Sequence, residues 1–176
     1  MIMKVERMDK LEYIPGDLVM ANGVPLGTAK DVVYRVTSSD PTKTLKLNDG
    51  TVLKGVVRLE NIEGAVFGEK GYLLGDSCAW VKDIVPIPLT PEILEKNGWK
   101  KEVISRGVKN SHWVYTKPDI EEYGYFPIFI EKGIGDEFDV YPFTDNNVCK
   151  QIAYIKYVHQ LQHLLFGLNI NYKMEV

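Results

Sequence analysis

The chain is divided by residues 83–99, which read DIVPIPLTPEILEKNGW. Pro86 and Pro88 each fix one backbone angle and lack an amide donor, so no central strand can continue through them. Thr90-Pro91 is a typical helix start, with a capping hydroxyl followed by a proline at the first helical position. Asn97-Gly98 supplies a left-handed stop after the helix. These residues therefore predict the end of a strand, a rigid joint and a short helix.

Short segments rich in β-branched residues, separated by glycine-containing turns, fill the chain before this joint. Asn48-Asp49-Gly50 predicts a tight hairpin turn, and Gly55 predicts a bulge or a bend in the strand that follows. The predicted strands are residues 18–20, 32–37, 44–47, 51–54, 56–59, 72–74 and 79–85. This pattern predicts a small β-barrel or sandwich domain over residues 1–88, and the opening Pro15-Gly16-Asp17-Leu18-Val19 is compatible with an SH3-like barrel.

The chain after the joint has a mixed pattern. Its predicted strands are residues 99–104, 112–115, 127–130, 137–141 and 152–155. One apolar stripe at helical spacing is formed by Tyr157, Val158, Leu161, Leu164, Leu165 and Leu168. The sequence therefore predicts an α+β domain over residues 89–176. In it a short helix precedes a small antiparallel sheet, and a longer C-terminal helix packs on that sheet.

Composition argues against several classes of protein. The chain has 176 residues, 45% of them apolar, and a net charge of -3, which disfavours double-stranded nucleic acid or an anionic membrane as main partner. No apolar run approaches the ~20 residues that span a bilayer, and the charged N-terminal residues lack the apolar core of a secretory signal. We therefore expect a cytoplasmic protein, in the host cytoplasm if a phage encodes it. Cys78 and Cys149 lie far apart in the sequence and are expected to be free thiols.

Of the residue pairs in this sequence, His159 and His163 most resemble a metal-binding motif. Histidines at i and i+4 share a helix face and can chelate one metal ion. A zinc protease also needs a glutamate directly after the first histidine, and this chain has Gln160 there, which cannot accept a proton. The other interpretation is a polar helix face whose side chains hydrogen-bond to the sheet or to water. We predict no metal site and no cofactor.

Catalytic residues are not indicated elsewhere. Glu137 and Asp139 fall on one face of a predicted strand and could serve acid–base catalysis, but charged side chains on an exposed strand face are the simpler interpretation. Cys78 has no histidine near it in the sequence that would activate it as a nucleophile. We therefore predict no catalytic residues.

Aromatic side chains are concentrated in the second part of the chain, beside lysine and arginine residues. They are Trp99, Trp113, Tyr115, Tyr123, Tyr125, Phe126, Phe129, Phe138, Tyr141 and Phe143. Flat rings with nearby cations suit the stacking of a nucleotide base and the binding of its phosphates. The predicted ligand site consists of Tyr115, Tyr125, Phe129 and Tyr141 against the base, with Arg106, Lys109 and His112 near the phosphates. The alternative is that the same rings fill the core or an oligomer contact.

Two stretches resemble a group of short proteins encoded by gut Bacteroidales and by their phages and mobile elements. They are PIPLTPEILEKNGW at residues 86–99 and YVHQLQHLLF at residues 157–166. In that group a small β-domain precedes the "PIPLTPEIL" joint, and a "YVHQLQ" helix closes the chain. The resemblance covers the joint and everything after it, and the first part matches in outline. It implies an accessory protein of a mobile element, a setting in which small binding proteins serve counter-defence or host takeover. It transfers no catalytic residue to this chain.

Three functions are compatible with these features. The leading hypothesis is a non-enzymatic phage or mobile-element protein that binds, and sequesters, a small anionic ligand of nucleotide type. The second is a structural or protein-interaction module, with the barrel-like part as its contact surface and the rings buried in a homo-oligomer. The third is a hydrolase or metal enzyme that uses His159 and His163, or Glu137 and Asp139. We expect a homo-oligomer with no membrane partner.

Overall fold

Each half of the chain is built on its own five-stranded antiparallel sheet. The computed structural model describes residues 12–25, 27–62, 77–105, 111–117, 128–133, 135–142 and 150–176, without the side chains of residues 104, 105, 111 and 112. The chain separates into two compact units, Met1–Ile87 and Pro88–Val176. The described helices lie in the second unit, so the predicted α+β class is confirmed.

The first unit is a sheet with strand order β4-β3-β2-β1-β5. Its elements are β1 (Leu18–Ala21), β2 (Val33–Lys46), β3 (Val52–Asn61), β4 (Ser77–Trp80), a 3-10 turn (Val81–Asp83) and β5 (Ile84–Pro86). The described pairings end at β4 on one side and at β5 on the other, so the sheet does not close into the predicted barrel. The predicted strand at 72–74 lies outside the described residues.

The prediction of a single strand over residues 79–85 was wrong. β4 pairs with β3 at one edge of the sheet, and β5 pairs with β1 at the other, so one straight strand cannot serve both. The 3-10 turn carries the chain between the two edges. Asn22 holds this turn, because its backbone N–H donates to the Asp83 carbonyl and its Nδ2 donates to Asp83 Oδ1, each at 3.0 Å. Val81, Ile84 and Val85 favour β-structure on both sides of the break, so the residue types did not mark it.

β2 is one long strand where two short ones were predicted. Pro41 is accommodated because the β2–β3 register shifts between Asp40 and Thr44, where the ladder does not need its missing amide. The Asp40 carboxylate accepts hydrogen bonds from the Thr42 hydroxyl at 2.6 Å and the Thr42 amide at 2.9 Å. These bonds, the hydroxyl first, hold the pKa of Asp40 below its ordinary value.

The hairpin between β2 and β3 is confirmed. The Leu47 amide donates to the Thr51 carbonyl at 2.8 Å, and the Gly50 amide donates to the Leu47 carbonyl at 3.0 Å. Gly50 has φ +88°, a conformation that favours glycine. Gly55 has φ +72° and lies opposite residues 41–43, so the irregularity predicted at Gly55 is present but the extra residues are in β2.

The core of the first unit lies on one face of its sheet. It consists of Tyr13, Val19, Ala21, Tyr34, Val36, Val57, Leu59, Ala79 and Ile84. Arg35 and Glu60 pair across the other face at 3.3 Å, where both are half exposed, so this ion pair contributes little to stability. Leu18, the partner of Arg35 on that other face, is also buried, so the other face is not exposed along its whole length.

The second unit has strand order β10-β9-β8-β7-β6. Its elements are α1 (Pro91–Lys96), β6 (Lys100–Ser105), β7 (Ser111–Thr116), β8 (Ile128–Lys132), β9 (Phe138–Pro142), β10 (Ala153–Ile155) and α2 (Val158–Gly167). Both predicted helices are confirmed. The Thr90 hydroxyl accepts from the Ile93 amide at 3.3 Å, and Gly98 ends the first helix with φ +81°.

The joint and the start of α2 are in direct contact. The Leu89 amide donates to the Lys156 carbonyl at 2.8 Å, beside an isolated bridge between Pro88 and Tyr157. The side-chain oxygen of Gln160 then accepts the amides of Lys156 at 2.8 Å and Tyr157 at 3.1 Å. Gln160 thus satisfies donors that the helix start would leave unpaired. The two conspicuous stretches of the sequence therefore meet in the structure.

The segment after α2 is tied to both helices of the unit. Asn97 and Glu175 exchange hydrogen bonds, from Asn97 Nδ2 at 2.7 Å and to Asn97 Oδ1 at 2.8 Å. Gln162 is fully buried and donates through Nε2 to the Tyr172 carbonyl at 3.3 Å. The second glutamine of the "YVHQLQ" stretch therefore anchors a backbone segment, which explains a polar side chain in the interior.

We expect Gly55→Ala to lower the free energy of unfolding of the first unit by about 2–4 kcal/mol. The new Cβ would lie 2.8 Å from Val81 Cγ2, and the positive φ is unfavourable for alanine. Gly50→Ala is the control, because its φ is similar but no atom lies within 4 Å. Urea unfolding of both variants measures the difference. Adding Val81→Ala to Gly55→Ala should recover part of the loss, and equal losses for the two glycines would contradict the steric explanation.

We expect Gln160→Ala to destabilise the second unit by about 1 kcal/mol and Gln160→Glu to be neutral or stabilising. The glutamate keeps the accepting oxygen and adds a negative charge at the helix start, where the dipole favours it. Thermal unfolding of the three proteins provides the measurement. A loss of stability in Gln160→Glu as large as in Gln160→Ala would show that capping is not the role of this side chain.

Candidate ligand-binding surface

The register of the second sheet sorts the predicted rings onto two faces. Paired residues share a face and successive residues alternate. Tyr115 pairs with Ile130, which pairs with Val140, whereas Phe129 pairs with Tyr141 one position away. We call the face with Tyr115, Ile130 and Val140 the helix face, and the face with Phe129 and Tyr141 the opposite face. Tyr115 therefore cannot form one site with Phe129 and Tyr141.

Tyr115 lies in the core of the helix face. Only 3% of its surface is exposed, and burial, followed by the negative charges of Glu95 and Glu92, raises its pKa above the ordinary value. α1 lies beside β6 and α2 lies beside β10. The carboxylates of Glu92 and Glu95 act on Tyr115, which places α1 on this face. Tyr115 thus acts as a packed core residue beneath the first helix.

Phe129 and Tyr141 form a stacked pair on the opposite face. Their ring centroids are 5.2 Å apart with an interplanar angle of 18°, and Phe129 is only 2% exposed. Tyr141 is half-buried and is the more accessible of the two rings. The pair already satisfies the stacking preference of Phe129, which leaves Tyr141 as the ring that a ligand can reach.

The structure does not describe the side chains of the other predicted site residues. Tyr125, Arg106 and Lys109 lie outside the described residues. His112 lies in β7, where its backbone pairs with Ile104, and its side chain is outside the description. Of the predicted set, the structure therefore brings together Phe129 and Tyr141, and it separates Tyr115 from them.

The histidine pair of α2 is part of a cluster of rings. The rings of His159 and His163 meet edge to face at 5.6 Å, and Tyr157 stacks on His159 at 5.9 Å. His159 is buried. Among the described residues, no group of three or more potential metal ligands is present. Gln160, the residue at the position of a protease glutamate, is engaged in capping the helix.

Trp113 is the exposed ring of the helix face. It pairs with Val103 on the neighbouring strand, and the two side chains are 57% and 49% exposed. The ammonium group of Lys101 lies 4.8 Å from the centroid of the indole ring, within cation–π distance. Tyr115 lies two residues further along the same strand and on the same face, but it is buried. The helices thus cover Tyr115 and leave Trp113 open.

A second lysine of the helix face lies over another ring. Lys132 follows Glu131, the partner of Val114, and so lies one residue beyond the β7–β8 ladder on the side of Trp113. Its Nζ is 4.5 Å from the centroid of the buried ring of Phe138. We call Lys101, Val103, Trp113 and Lys132 the Trp113 surface. The accessible indole ring and the Lys101 ammonium suit bases and phosphates, and the Lys132 ammonium lies over Phe138 on the same face.

The selection of site residues from the sequence missed Trp113 and Lys101. Both belong to the aromatic and basic set of the second half, but Trp113 and Tyr115 have the same position in the strand alternation. Strand alternation puts Lys101 and Val103 on one face, and the register of the structure, which pairs Val103 with Trp113, adds the ring to that face. Only the extent of the helix cover distinguishes the exposed ring from the buried one.

No protein-family model, curated protein or solved structure matches this chain. Within the part of the chain that the structure describes, neither helix is long and apolar enough to cross a bilayer.

We expect Tyr115→Phe to reduce the loss of stability at alkaline pH. Because the folded-state pKa of Tyr115 is raised, its contribution is fully present below the ordinary value of 10.0 and is lost as the pH rises through the folded-state pKa. Removing the hydroxyl should lessen the fall in unfolding free energy above that pH by up to about 1.4 kcal/mol per pH unit. Urea unfolding at a series of alkaline pH values measures the slope. Identical slopes for the two proteins would contradict a buried phenol.

Proposed function

We propose that this chain is a non-enzymatic binding protein of a phage or mobile element, which holds an anionic ligand of nucleotide type on the Trp113 surface. The observation that carries the proposal is an indole ring 57% exposed with an ammonium group 4.8 Å from its centre. The mobile-element context comes from the resemblance of residues 86–99 and 157–166. A protein that binds this ligand without converting it sequesters the ligand. Sequestration is the counter-defence role that we propose.

The interaction energies favour a nucleotide base over the Lys101 ammonium as the group that contacts the face of the Trp113 indole. A cation–π contact at an exposed site contributes about 0.5–1 kcal/mol, whereas a base stacked on an aromatic side chain contributes about 1–3 kcal/mol. A base can therefore displace the Lys101 ammonium from the ring. The freed ammonium, on its flexible stem, then pairs with the phosphate of the same ligand.

The roles within the surface follow from its arrangement. Trp113 stacks on the base, Lys101 moves from the ring to a phosphate, and Val103 supports the edge of the base through apolar contact. Lys132 adds positive charge on the neighbouring strand. This assignment replaces Tyr115 as the stacking residue. Tyr141 stays a candidate for a separate contact on the opposite face, together with the predicted residues whose side chains are outside the description.

The second candidate function is a protein-interaction module. Its support is the exposure of two large apolar side chains that pair with each other, Val103 on the edge strand β6 and Trp113 on the adjacent strand β7. Exposed tryptophan is enriched among the residues that dominate protein interfaces. In this case the surface receives another polypeptide in place of a nucleotide.

We also propose an SH3-like topology for the first unit. Its support is the strand order, in which β5 returns beside β1 and a 3-10 turn precedes β5. By analogy of fold alone, such a small β-domain would serve as a contact surface for a partner.

Titration with candidate ligands tests the leading proposal. We would use cyclic mononucleotides, cyclic dinucleotides, ATP and a single-stranded oligothymidine, following calorimetric heat and tryptophan fluorescence. Binding by a small nucleotide alone indicates a soluble signal as ligand, and binding by the oligonucleotide alone indicates single-stranded nucleic acid. We expect at least one ligand to bind with an affinity that falls on addition of salt.

Matched variants locate the site. Trp113→Ala should weaken binding about 10-fold or more through the lost stacking energy, and Lys101→Met should weaken it less and flatten the salt dependence. Tyr154→Ala is the control, because Tyr154 is an exposed ring of the same sheet that pairs with Asp139 on the opposite face. Absence of binding across the panel, or equal affinity in Trp113→Ala, would refute the proposal.

A further inference from the structure

Two Asn-Gly pairs are present in the sequence, Asn22-Gly23 and Asn97-Gly98. Asparagine is a chemically labile residue, and a following glycine, which has no Cβ, leaves the asparagine side chain open to attack by the next backbone nitrogen. The two pairs are closely matched in the structure. Each asparagine is half-buried, each glycine is exposed, and the glycine φ angles are +80° and +81°. The hydrogen bonds around the pairs therefore decide which of them reacts.

The Asn97-Gly98 pair is held at every reacting group. The Gly98 amide, which would be the nucleophile, donates to the Glu95 carbonyl at 3.0 Å. Asn97 Nδ2, which would leave, donates to the carbonyls of Ile93 at 2.8 Å and Glu175 at 2.7 Å. Ring closure at this pair would break the end of α1 and its tie to the last residues of the chain. We therefore expect this pair to be inert in the folded protein.

The Asn22-Gly23 pair leaves the nucleophile available. Within the described part of the chain, the Gly23 amide donates to no acceptor. The Val24 amide donates to Asn22 Oδ1 at 2.9 Å, on the oxygen that gains negative charge when the side-chain carbonyl is attacked. Val24 is 73% exposed, so water reaches this turn. Asn97 Oδ1 also accepts a hydrogen bond, so the pairs differ mainly in the freedom of the attacking amide.

We propose that Asn22 is a site of spontaneous deamidation in the folded protein. The Gly23 nitrogen loses its proton to the solvent and bonds to Asn22 Cγ, and the bond from Cγ to Nδ2 breaks as Nδ2 takes up a proton and leaves as ammonia. Water then opens the succinimide ring. Addition of water at Cγ gives aspartate, and addition at the backbone carbonyl gives isoaspartate. The reaction consumes water, releases ammonia and needs no oxidant.

The product places a new charge against a buried one. Asn22 Nδ2 donates to Asp83 Oδ1 at 3.0 Å, and Asp83 is 5% exposed. Deamidation replaces this donor with a carboxylate oxygen, so an attractive contact becomes a repulsion between like charges. Lys82 Nζ, 3.0 Å from Asp83 Oδ1, offsets part of the repulsion, and the exposed Lys30 borders the turn through its backbone.

The position of this contact links the modification to the sheet of the first unit. Asn22 directly follows β1 and Asp83 directly precedes β5, and these two strands pair with each other. Loss of the contact therefore loosens the β1–β5 edge and the 3-10 turn that leads into it. The modification acts as an ageing switch in the first unit. It does not depend on the proposed nucleotide binding, which lies in the second unit.

Peptide mapping of the ageing protein tests the site. The natural protein is incubated at mildly alkaline pH, and the peptides that contain the two pairs are followed by mass spectrometry, with isoaspartate distinguished from aspartate by fragmentation. We expect Asn22 to convert to both products with release of ammonia, faster at higher pH, while Asn97 stays unchanged. Asn22→Gln is the matched control, because the longer side chain closes its ring slowly, and conversion should be lost.

Unfolding in urea separates the effect of the fold from that of the local sequence. In urea both pairs should convert at similar rates, since the hydrogen bonds that protect Asn97 are gone. No conversion at Asn22 in the folded protein, or conversion of Asn97 as fast as Asn22, would overturn the proposal. A difference between the pairs that persists in urea would also overturn it, because the local sequence would then be the cause.

Variants of Asn22 test the consequence for the sheet. Asn22→Asp places the new carboxylate against Asp83, and Asn22→Ala removes the hydrogen bond without adding a charge. We expect both to lower the urea midpoint at neutral pH, with the larger loss in Asn22→Asp. The excess loss should shrink as the pH falls toward the ordinary carboxyl pKa of about 4, because protonation of either carboxyl removes the repulsion. Equal losses at all pH values would refute the charge contact, and if Asn22→Asp does not fold, peptide mapping still decides the site.

Discussion

The second unit depends on the backbone contact between the proline joint and the start of its long helix. The Leu89 amide and the Lys156 carbonyl join segments that are far apart in the sequence. Pro88 lacks an amide donor, so the chain can pair here only through its other backbone groups, and the bridge to Tyr157 is correspondingly short. Because α1 follows this point directly and α2 begins at it, one contact positions the starts of both helices.

This placement decides which aromatic residues the sheet exposes. α1 and α2 meet the sheet at its two edge strands, and the buried residues of the helix face lie between them. Tyr115 is covered and Trp113 is not, although they lie on the same strand and the same face. Which aromatic side chains of this unit are exposed therefore depends on where the helices end. The accessible chemistry combines one indole ring with lysines that are held over neighbouring rings.

The polar residues of the conspicuous stretches serve the structure. Gln160 caps the helix, Gln162 holds the Tyr172 carbonyl, and Asn97 binds the backbone of Glu175. Each of these side chains would attract attention as a catalytic or metal-binding candidate if it were considered in isolation. Their hydrogen bonds give all three side chains a structural role in the second unit.

The sequence alone determined the local elements of this protein. Thr90, Pro91 and Gly98 define the first helix, and Asn48-Asp49-Gly50 defines the hairpin, because capping and positive-φ turns depend on neighbouring residues only. Only the tertiary structure decided that residues 79–85 are divided between two sheet edges, and that Trp113 is exposed while Tyr115 is buried. Strand alternation assigns a side chain to a face, but the cover of that face comes from residues distant in the sequence. The site could not be selected from the pattern for that reason.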